Sequence, residues 1–552
     1  MNCNISKNII FTGIIAFASM SLTGQDLKKD ITVTKSYIPT IQEAAKINQM
    51  PVFNDTGYVE PDYKYQIKPL AFHLPYQIKP LPSAKMAKET WDNVYNNYAL
   101  LGFGNPYSPL AEISINSGRT KNYMYGINLY HHSANGKVRL KKDPDYKVNA
   151  PFSFTSVNGN GKYILDYASI QGNIGYNHHR LAYYGVDTAF LNSYKEDSNK
   201  QFYNNAYFDL LFKSTNLAYD QPDYIAKTSY NFFSDKTGYS ENNFSLNATY
   251  MHPYKKLKLG GSILYQVSEP SQPADSGSSS IFLFKPTVTK KIQNVNISAG
   301  LNIWVDNYQS LSTIYSQPFA SLDVVVVPEV LQAQLGYESQ LQLNNATYLI
   351  TVNPFMKSGI TSPTTYSKNI FSANITADIS NTATMALAVS YSNNKDQVLW
   401  RNDATSTLKN KFVPVIDDVE TIKVKTSLIF TPTKSFNATI EAGFNNYTTL
   451  REKKAWGLPS FEGNTTIRYN IQDKIISTTQ VYLVGPRYYE TVANTSKSLP
   501  AFVDFNENIE YQYTKLFSIF VQVKNLTASQ YEYWNNYSSY RFQFMAGVRY
   551  VF

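Results

Sequence analysis

Cysteine and long apolar runs are nearly absent from this sequence. Its 552 residues include a single cysteine, Cys3, which lies inside a predicted leader that export would remove. We therefore expect no thiol, disulfide or lipid-anchoring cysteine in the mature chain. Beyond the leader, no segment offers the roughly 20 consecutive apolar residues that a transmembrane helix requires. These absences leave two options for an exported chain: an outer-membrane β-barrel or a fully exported β protein.

The N-terminus has the composition of a secretory leader. Lys7 supplies a positive charge, the run Ile9–Met20 is apolar, and small residues follow as far as Gly24. This is the order of regions in a signal peptide, and the apolar run is too short to span a bilayer as a helix. The sequence predicts a signal peptide over residues 1–24.

Residues that carry out catalysis or bind metals are also scarce. The chain has six histidines: His73, His131, His132, His178, His179 and His252. Neighbouring residues of a strand point to opposite faces, so neither His-His pair should converge on a metal, and we interpret His178-His179 as a solvated turn. We find no Gly-x-Ser-x-Gly elbow and no Ser/His/Asp set, and Asn158–Lys162 is a loop or hairpin turn rather than a phosphate loop. The sequence predicts a non-enzyme without a metal or cofactor.

Charge is modest and dispersed. The net charge of +9 is spread along the chain, whereas a nucleic-acid-binding protein would concentrate basic residues on one face. The densest cluster is Lys137, Arg139, Lys141 and Lys142. We interpret it as a solvated loop, with contact to anionic lipid headgroups as an open alternative, and expect no nucleic-acid partner.

Aromatic residues are abundant, with 45 Tyr and 31 Phe. Tyrosine suits the aromatic girdles of membrane barrels, although a Tyr-rich soluble adhesin is an alternative. In the last thirteen residues, one face of a two-faced strand is apolar: Tyr540, Phe542, Phe544, Ala546, Val548, Tyr550 and Phe552. A strand of this kind is typical of the last strand that closes an outer-membrane barrel. The alternative is a strand of an ordinary β-sandwich. Phe544, Val548, Tyr550 and Phe552 form the candidate signal for insertion by the barrel-assembly machinery.

From Asn93 onward, alternating segments of about ten residues are separated by turns, which is the signature of a membrane barrel. In one such segment, Ile422, Val424 and Leu428 share a face opposite Lys423 and Lys425. Short turns alternate with long connections, predicted near 133–160, 305–315 and 342–366 among others. The sequence predicts an all-β fold: a single transmembrane antiparallel β-barrel of about 22 strands, with 18 or 20 left open, over residues 93–552. Long loops should be extracellular and both termini periplasmic.

Residues 25–92 differ from the barrel because they are rich in proline, which favours an extended segment in the periplasm or the lumen. The sequence Tyr65–Leu70 recurs as Tyr76–Leu81. The two copies are candidate docking strips that could add a strand to a partner's sheet edge, through six apolar or aromatic residues: Tyr65, Ile67, Leu70, Tyr76, Ile78 and Leu81.

One carboxylate conflicts with the pattern. If Phe505, Ile509 and Tyr511 face lipid, Glu507 does too, and a charged residue in the bilayer costs up to a few kcal/mol. We consider three explanations, in this order: a position near the rim, a bulge that shifts the register, or a partner protein that covers this wall.

The C-terminal hairpin carries a family resemblance. The segments Asp504–Asn506 and Phe520–Leu526, followed by Tyr531 and the closing strand, resemble the end of a TonB-dependent outer-membrane receptor. The Thr34–Thr40 segment and Gly102–Asn105 resemble a group of Bacteroidota outer-membrane proteins with receptor-like barrels. The resemblance implies a 22-stranded barrel in the outer membrane that takes up or binds a solute. TonB is then a candidate partner through a TonB-box-like segment: Ile31, Thr32, Val33 and Thr34.

The resemblance does not extend to the plug. Receptors of that family place a globular plug of well over a hundred residues before the barrel, whereas about 68 residues separate the leader from the barrel here. A 22-stranded barrel has an open lumen unless something fills it. The alternative function is therefore a non-transporting scaffold in an outer-membrane assembly or secretion complex.

Overall fold

The computed structural model describes residues 96–552, apart from 119, 196–198, 216–220, 272–276 and 492–493. The predicted signal peptide, the Pro-rich segment, the TonB-box-like residues 31–34 and the two docking strips lie outside the described residues. Among the helices that are described, none is both long and apolar enough to cross a membrane.

Strands account for nearly all of the described secondary structure. They are β1 Tyr98–Asn105, β2 Ser108–Asn116, β3 Tyr123–Ala134, β4 Lys137–Leu140, β5 Asp143–Asn149, β6 Phe152–Ile164, β7 Ala168–Ala182, β8 Lys200–Ser214, β9 Asp223–Asp235, β10 Ser240–Tyr254, β11 Leu257–Pro270, β12 Ser279–Ile292, β13 Val295–Tyr308, β14 Leu311–Val327, β15 Leu331–Gln342, β16 Thr365–Ser380, β17 Ala383–Asn402, β18 Phe412–Thr433, β19 Phe436–Thr449, β20 Phe461–Ile471, β21 Ile475–Val484, β22 Arg487–Glu490, β23 Ser496–Leu499, β24 Phe502–Gln512, β25 Phe517–Lys524, β26 Glu532–Trp534, β27 Tyr537–Ser538 and β28 Gln543–Val551. The described helices are a 3-10 helix, Thr188–Ser193, and α1, Ala346–Val352.

Twenty-two of these strands form one sheet, and the remaining six form three separate hairpins: β4–β5, β22–β23 and β26–β27. Each strand of the large sheet pairs antiparallel with its neighbour along the chain. The last strand, β28, pairs with β1, from Tyr98 opposite Val551 to Asn105 opposite Phe544. The sheet is therefore a closed barrel, and the predicted strand count of 22 is confirmed. Closure leaves no open edge, as a membrane-spanning sheet requires.

The two faces of the barrel wall differ in the way the alternation predicts. On β28, Phe544, Val548 and Tyr550 point outward and are 42%, 39% and 47% exposed, whereas Met545 points inward and is 5% exposed. The same register places Lys423 and Lys425 of β18 on the inner face, opposite Ser390 and Ala388 of β17. An apolar exterior around a polar interior is stable in lipid and not in water. The fold is thus a transmembrane β-barrel.

The two ends of the barrel also differ. Asn97 and Phe552 exchange backbone hydrogen bonds at one end, which we call the terminus end; the other is the loop end. Short turns such as 255–256 and 293–294 lie at the terminus end, and the longest connections lie at the loop end. The predicted asymmetry of short turns and long loops is confirmed.

Two segments that the sequence predicted as loops or turns lie in strands. The structure has β6 at Phe152–Ile164 and β7 at Ala168–Ala182, so Asn158–Lys162 lies within a strand, and His178 and His179 lie in β7 rather than in a turn. The Asn-Gly sequence has turn propensity, but β3 and β7 pair with both edges of β6 along its length. Cross-strand pairing on both sides overrides local preference here.

Two predicted loops also differ from the structure. The predicted connection 305–315 is a two-residue turn, because β13 ends at Tyr308 and β14 begins at Leu311. The predicted loop 133–160 contains the hairpin β4–β5. On β4, Lys137 and Arg139 are exposed while Val138 and Leu140 are buried, so part of the basic cluster is the outer face of a packed hairpin.

Glu507 lies on the outer face, in the middle of β24. Its register against β21 runs without a shift from Ile475 opposite Tyr511 to Val484 opposite Phe502, which excludes the bulge explanation. The carboxylate accepts hydrogen bonds from the hydroxyls of Ser477 and Thr479 at 2.6 Å each. These hydroxyls replace part of the hydration that the carboxylate lacks in an apolar belt.

Candidate functional site: a loop cap and its cleft

The long connections at the loop end pack against one another. We call their described residues the cap; it comprises 135–151, 183–195, 199, 343–364, 403–411, 450–460, 485–491, 494–501 and 525–542. The cap and the adjoining strand ends share a buried cluster: Leu349, Met356, Val398, Trp400, Phe412, Trp534 and Tyr537. Because these residues come from distant parts of the sequence, burying them together holds separate connections as one unit.

The connection 343–364 folds toward the barrel wall, and its helix α1 is fixed there by hydrogen bonds. Asn345 caps the helix by accepting from the backbone N–H of Tyr348, and its side-chain amide donates to Asn243 of β10 at 3.0 Å. The next backbone N–H, of Ala346, donates to the carboxylate of Glu241 at 2.9 Å. Asn243 and Glu241 are both buried. The connection is therefore bound to the inner side of the wall.

Tyrosine hydroxyls join the connections to one another by donating to backbone carbonyls. Tyr183 donates to Met356 at 2.8 Å, Tyr184 to Ser538 at 3.0 Å, and Tyr537 to Asn410. Burial raises the pKa of Tyr183 to about 12 and the pKa of Tyr537 well above its ordinary value. The hydroxyls thus remain protonated donors at physiological pH, and each one links two connections.

Arg487 of β22 is a fully buried cation in the cap. Its guanidinium lies 5.1 Å from the ring centroids of both Phe502 and Tyr533, and Nη2 donates to the carbonyl of Glu532 at 2.8 Å. Its Nε and Nη1 have no partner among the described residues. Burial lowers the pKa of Arg487. Two aromatic faces stabilise the charge in place of a carboxylate.

A polar cleft of about 430 Å³ opens between the cap connections. The residues that line it include Asn402, Asp403, Tyr489, Glu490, Asn535 and Asn536. Asn535 and Asn536 form the turn of the hairpin β26–β27, where Asn536 has a φ of 67°, a left-handed conformation that asparagine tolerates better than most residues. The next residue before the turn, Trp534, packs against Trp400 and Phe412. A packed tryptophan therefore fixes the position of the asparagines.

Most charges around the cleft are already paired. Lys142 contacts Asp187 at 3.1 Å, Lys357 contacts Asp403 at 3.2 Å, and Arg401 contacts Glu490 at 2.6 Å. Burial raises the pKa of Asp403, but hydrogen bonds from Thr405 and the charge of Lys357 outweigh it and leave the pKa below its ordinary value. Asp403 is therefore ionised at neutral pH.

The lumen wall below the cap is polar. A cavity of about 630 Å³ along β16–β21 is lined by Lys425, Glu441, Glu462 and Asn464, among others. This distribution confirms that the lysines and glutamates of these strands occupy the inner face. No group of three or more potential metal ligands occurs within the described ranges.

The predicted site residues and the cap lie in different places. Phe544, Val548 and Tyr550 are on the outer wall, away from the cleft. Three residues of the cap, Arg487, Trp534 and Tyr537, and Trp400 at the adjoining end of β17 were missed, because the sequence predicted only long polar loops there. The one available signal was the aromatic content of 531–537, which a solvated loop does not need.

Comparisons with known proteins find the fold but no close relative. The sequence matches no protein-family profile and no curated protein. Among solved structures, the ferric-catecholate import receptor Fiu from E. coli K12 has a TM-score of 0.58 at 10% identity, covering 83% of this chain and 82% of that chain. The FrpB iron transporter from Neisseria meningitidis has a TM-score of 0.62 at 10% identity, covering 84% and 82%. The siderophore receptor PiuA from Acinetobacter baumannii has a TM-score of 0.58 at 9% identity, covering 83% and 82%. This chain therefore shares the barrel fold of these receptors, and the resemblance seen in its C-terminal hairpin is confirmed for the fold.

Proposed function

We propose that this protein is an outer-membrane receptor that binds a solute at the cap and admits it to the lumen. The observation that carries the proposal is the combination of an apolar exterior, a polar lumen and a loop end covered by a packed cap. A passive porin would not need a cap whose connections are joined through buried tyrosines. The similar structures are described as an import receptor, an iron transporter and a siderophore receptor, which supports uptake as the direction of transport.

In this proposal the cap faces the outside of the cell and both termini face the periplasm. Residues 1–24 direct export, and the barrel-assembly machinery recognises Phe544, Val548, Tyr550 and Phe552 during insertion into lipid. TonB is the proposed source of energy, through residues 31–34. Deleting residues 26–60 should abolish uptake, and unchanged uptake would argue against TonB coupling through this segment.

Uptake through a covered loop end requires the cap to move, and an engineered disulfide can test this. The hydroxyl oxygens of Thr237, in the β9–β10 turn, and Ser358, in the connection 343–364, are 2.5 Å apart. The double variant Thr237→Cys/Ser358→Cys should therefore form a disulfide. The mature chain has no other predicted cysteine, so the bond is unambiguous, and each single variant is a matched control.

The test compares native cells that carry the wild-type protein, no protein, or the double variant, each supplied with single limiting carbon or iron sources. We expect the strain without the protein to lose use of one source, and the oxidised double variant to reproduce that loss until a reductant is added. If the oxidised variant supports normal growth on that source, the connection 343–364 does not gate uptake. If the strain without the protein shows no defect on any source, the transport proposal fails.

A scaffold function is the second candidate, and Glu507 favours it. A carboxylate on the outer wall, midway along β24, would be better accommodated against a hydrogen-bonding partner protein than against lipid. Copurification from native membranes tests this candidate, and a monomer that purifies alone would count against it.

A further inference from the structure

We infer that the outer wall around Glu507 binds a membrane-spanning segment of a second protein, and that this segment carries a lysine or an arginine at mid-depth. The inference rests on the scaffold candidate and names the partner that this candidate requires. Glu507 lies five residues from Gln512, the residue of β24 nearest the terminus end. Because a strand spans the bilayer with about 9–11 residues, the carboxylate lies in the middle of the wall.

Glu507 is the exception in a belt that otherwise carries no charge. Among the described residues of the barrel wall, every other outward Lys, Arg, Asp or Glu lies close to one of the two ends. Lys290 is two residues from the terminus end of β12. The other outward charges are at least twelve residues from the terminus ends of their strands, as are Arg180 and Lys395. The exterior between these two levels matches acyl chains everywhere except at Glu507.

The carboxylate of Glu507 is held in place and retains free acceptor capacity. Ser477 and Thr479 both belong to β21, and each hydroxyl donates to a different carboxylate oxygen at 2.6 Å. A carboxylate oxygen can accept two hydrogen bonds, so each oxygen keeps one position for another donor. Glu507 is half-buried and forms no ion pair within the part of the chain that the structure describes. Its free positions match an ammonium group or the fork of a guanidinium.

Charge complementarity selects the source of that cation. Acyl chains offer no donor, and the amines of lipid headgroups lie outside the hydrocarbon core, so lipid cannot pair with a carboxylate at this depth. A second copy of this chain cannot supply the cation either, because its described belt carries no outward lysine or arginine at mid-depth. Two copies that met at this wall would place like charges together, which is unfavourable. The partner is therefore a different membrane-spanning protein, in which an intramembrane cation is stabilised by pairing.

The first test uses a defined probe. Two synthetic transmembrane helices of leucine and alanine, each of about 20 residues, differ only in a central lysine or a central leucine. Each helix is mixed with the full-length protein in phosphatidylcholine vesicles, and association is measured by fluorescence energy transfer. We expect the lysine helix to bind about tenfold more tightly than the leucine helix, because only its ammonium group can pair with Glu507.

Two variants locate the binding of this probe. Glu507→Gln should abolish the difference between the two helices. Thr228→Gln introduces the same amide at an outward position of β9, also five residues from the terminus end of its strand, and should leave the difference unchanged. Equal binding of the two helices by the wild-type protein would overturn the inference, as would no binding of either helix or a difference that persists in folded Glu507→Gln protein.

The second test identifies the natural partner by photo-cross-linking in native cells. Benzoylphenylalanine replaces Val523, which lies opposite Glu507 on β25, or Ala248 of β10; both positions are outward and six residues from the terminus ends of their strands. The residue at position 523 should cross-link to a protein with Lys or Arg in the middle of a membrane span, and the residue at 248 should not. Cross-links to lipid alone, or to a protein without such a cation, would overturn the inference.

A charge exchange then tests the pairing itself. Glu507→Lys should abolish the cross-link at position 523, and replacing the partner's cation with Glu should restore it. Glu507→Gln is the milder variant and should weaken the cross-link. Heat-dependent gel mobility checks that each variant is folded. A cross-link of undiminished yield in folded Glu507→Gln and Glu507→Lys proteins would show that the carboxylate does not hold the partner.

This inference and the receptor function can fail separately. If the cross-link depends on Glu507 but cells without the protein show no uptake defect, the partner stands and the transport function falls. If cells without the protein lose a nutrient, and neither the lysine helix nor a cellular protein associates through Glu507, the receptor function stands and this inference falls.

Discussion

At the scale of single residues, the cap depends on hydroxyl groups that sequence patterns do not reveal. Tyr537 is 4% exposed, and its hydroxyl donates to Asn410, which is 127 positions away in the chain. Alternation of polar and apolar residues reports which face of a strand a residue occupies, and carries no information about partners in loops. Most strands of the barrel were therefore predictable, whereas the tyrosine links were not.

Replacing Tyr537 with Phe isolates one of these links. The ring contacts with Phe355 and Tyr184 remain, and the carbonyl of Asn410 loses its donor. We expect a destabilisation of the cap of about 1–2 kcal/mol, measured as faster hydrogen exchange in 403–411 and 525–542. Tyr513→Phe, at an exposed turn of the terminus end, is the control. Unchanged exchange in the Tyr537 variant would show that the hydroxyl does not hold the cap.

Asp403 gives the cap a dependence on pH. Its pKa is lowered in the folded protein from the ordinary value of 3.8, so its stabilising contribution is present above that value and is lost as the pH falls through the folded pKa. We therefore expect 403–411 to lose protection from hydrogen exchange only below about pH 4. Asp403→Asn should remove this transition. Loss of protection already between pH 5 and 7 would contradict the assignment.

At the scale of the strand, the outward residues of β28 are matched to lipid. Val548→Lys places a cation on the outer wall, which costs about 2–4 kcal/mol at the bilayer midplane and less near its edges. We expect less folded protein in the membrane, measured by heat-modifiable gel mobility. Gln522→Lys adds the same charge to the inner face of the neighbouring β25 and should be tolerated. If both variants lose folded protein to the same extent, the added charge itself is responsible, and the face of the barrel wall on which it lies is not.

Glu507 distinguishes lipid from a partner protein at the outer wall of β24. Glu507→Gln removes the charge and leaves an amide that can still pair with Ser477 and Thr479. If lipid covers this wall, the variant should be at least as stable as the wild type in lipid vesicles, because an amide costs less to desolvate than a carboxylate. If a partner covers it, the variant should lose a protein that copurifies with the wild type. Measuring both properties separates the two cases.

The strands β6 and β7 show where the element-scale prediction failed and why. Gly159 and Gly161 lie inside β6, and a Gly- and Asn-rich sequence has the local preference of a turn. Ile127 of β3 and Ile174 of β7 pair with Gly159 from both sides. Backbone pairing with both neighbouring strands therefore determines the conformation of β6, and the local turn preference does not. Where a segment is rich in β-branched residues, as around Ile422–Leu428 of β18, local preference agreed with the pairing to neighbouring strands, and the predicted alternation matched the structure.

At the scale of the whole molecule, the cap predicts a barrel that conducts poorly. A planar-bilayer recording of the full-length protein should show little steady conductance, because the connection 343–364 is bound to the inner side of the wall and packs into the cap.

Replacing residues 344–363 with a short Gly-Ser linker should open large, steady channels, since it removes α1 and the contacts of Leu349 and Met356. Replacing the turn Gln472–Lys474 at the terminus end with a Gly-rich turn is the control and should leave conductance low. Large conductance in the wild type would contradict the covered loop end, and persistently low conductance in the linker variant would show that residues other than this connection form the barrier.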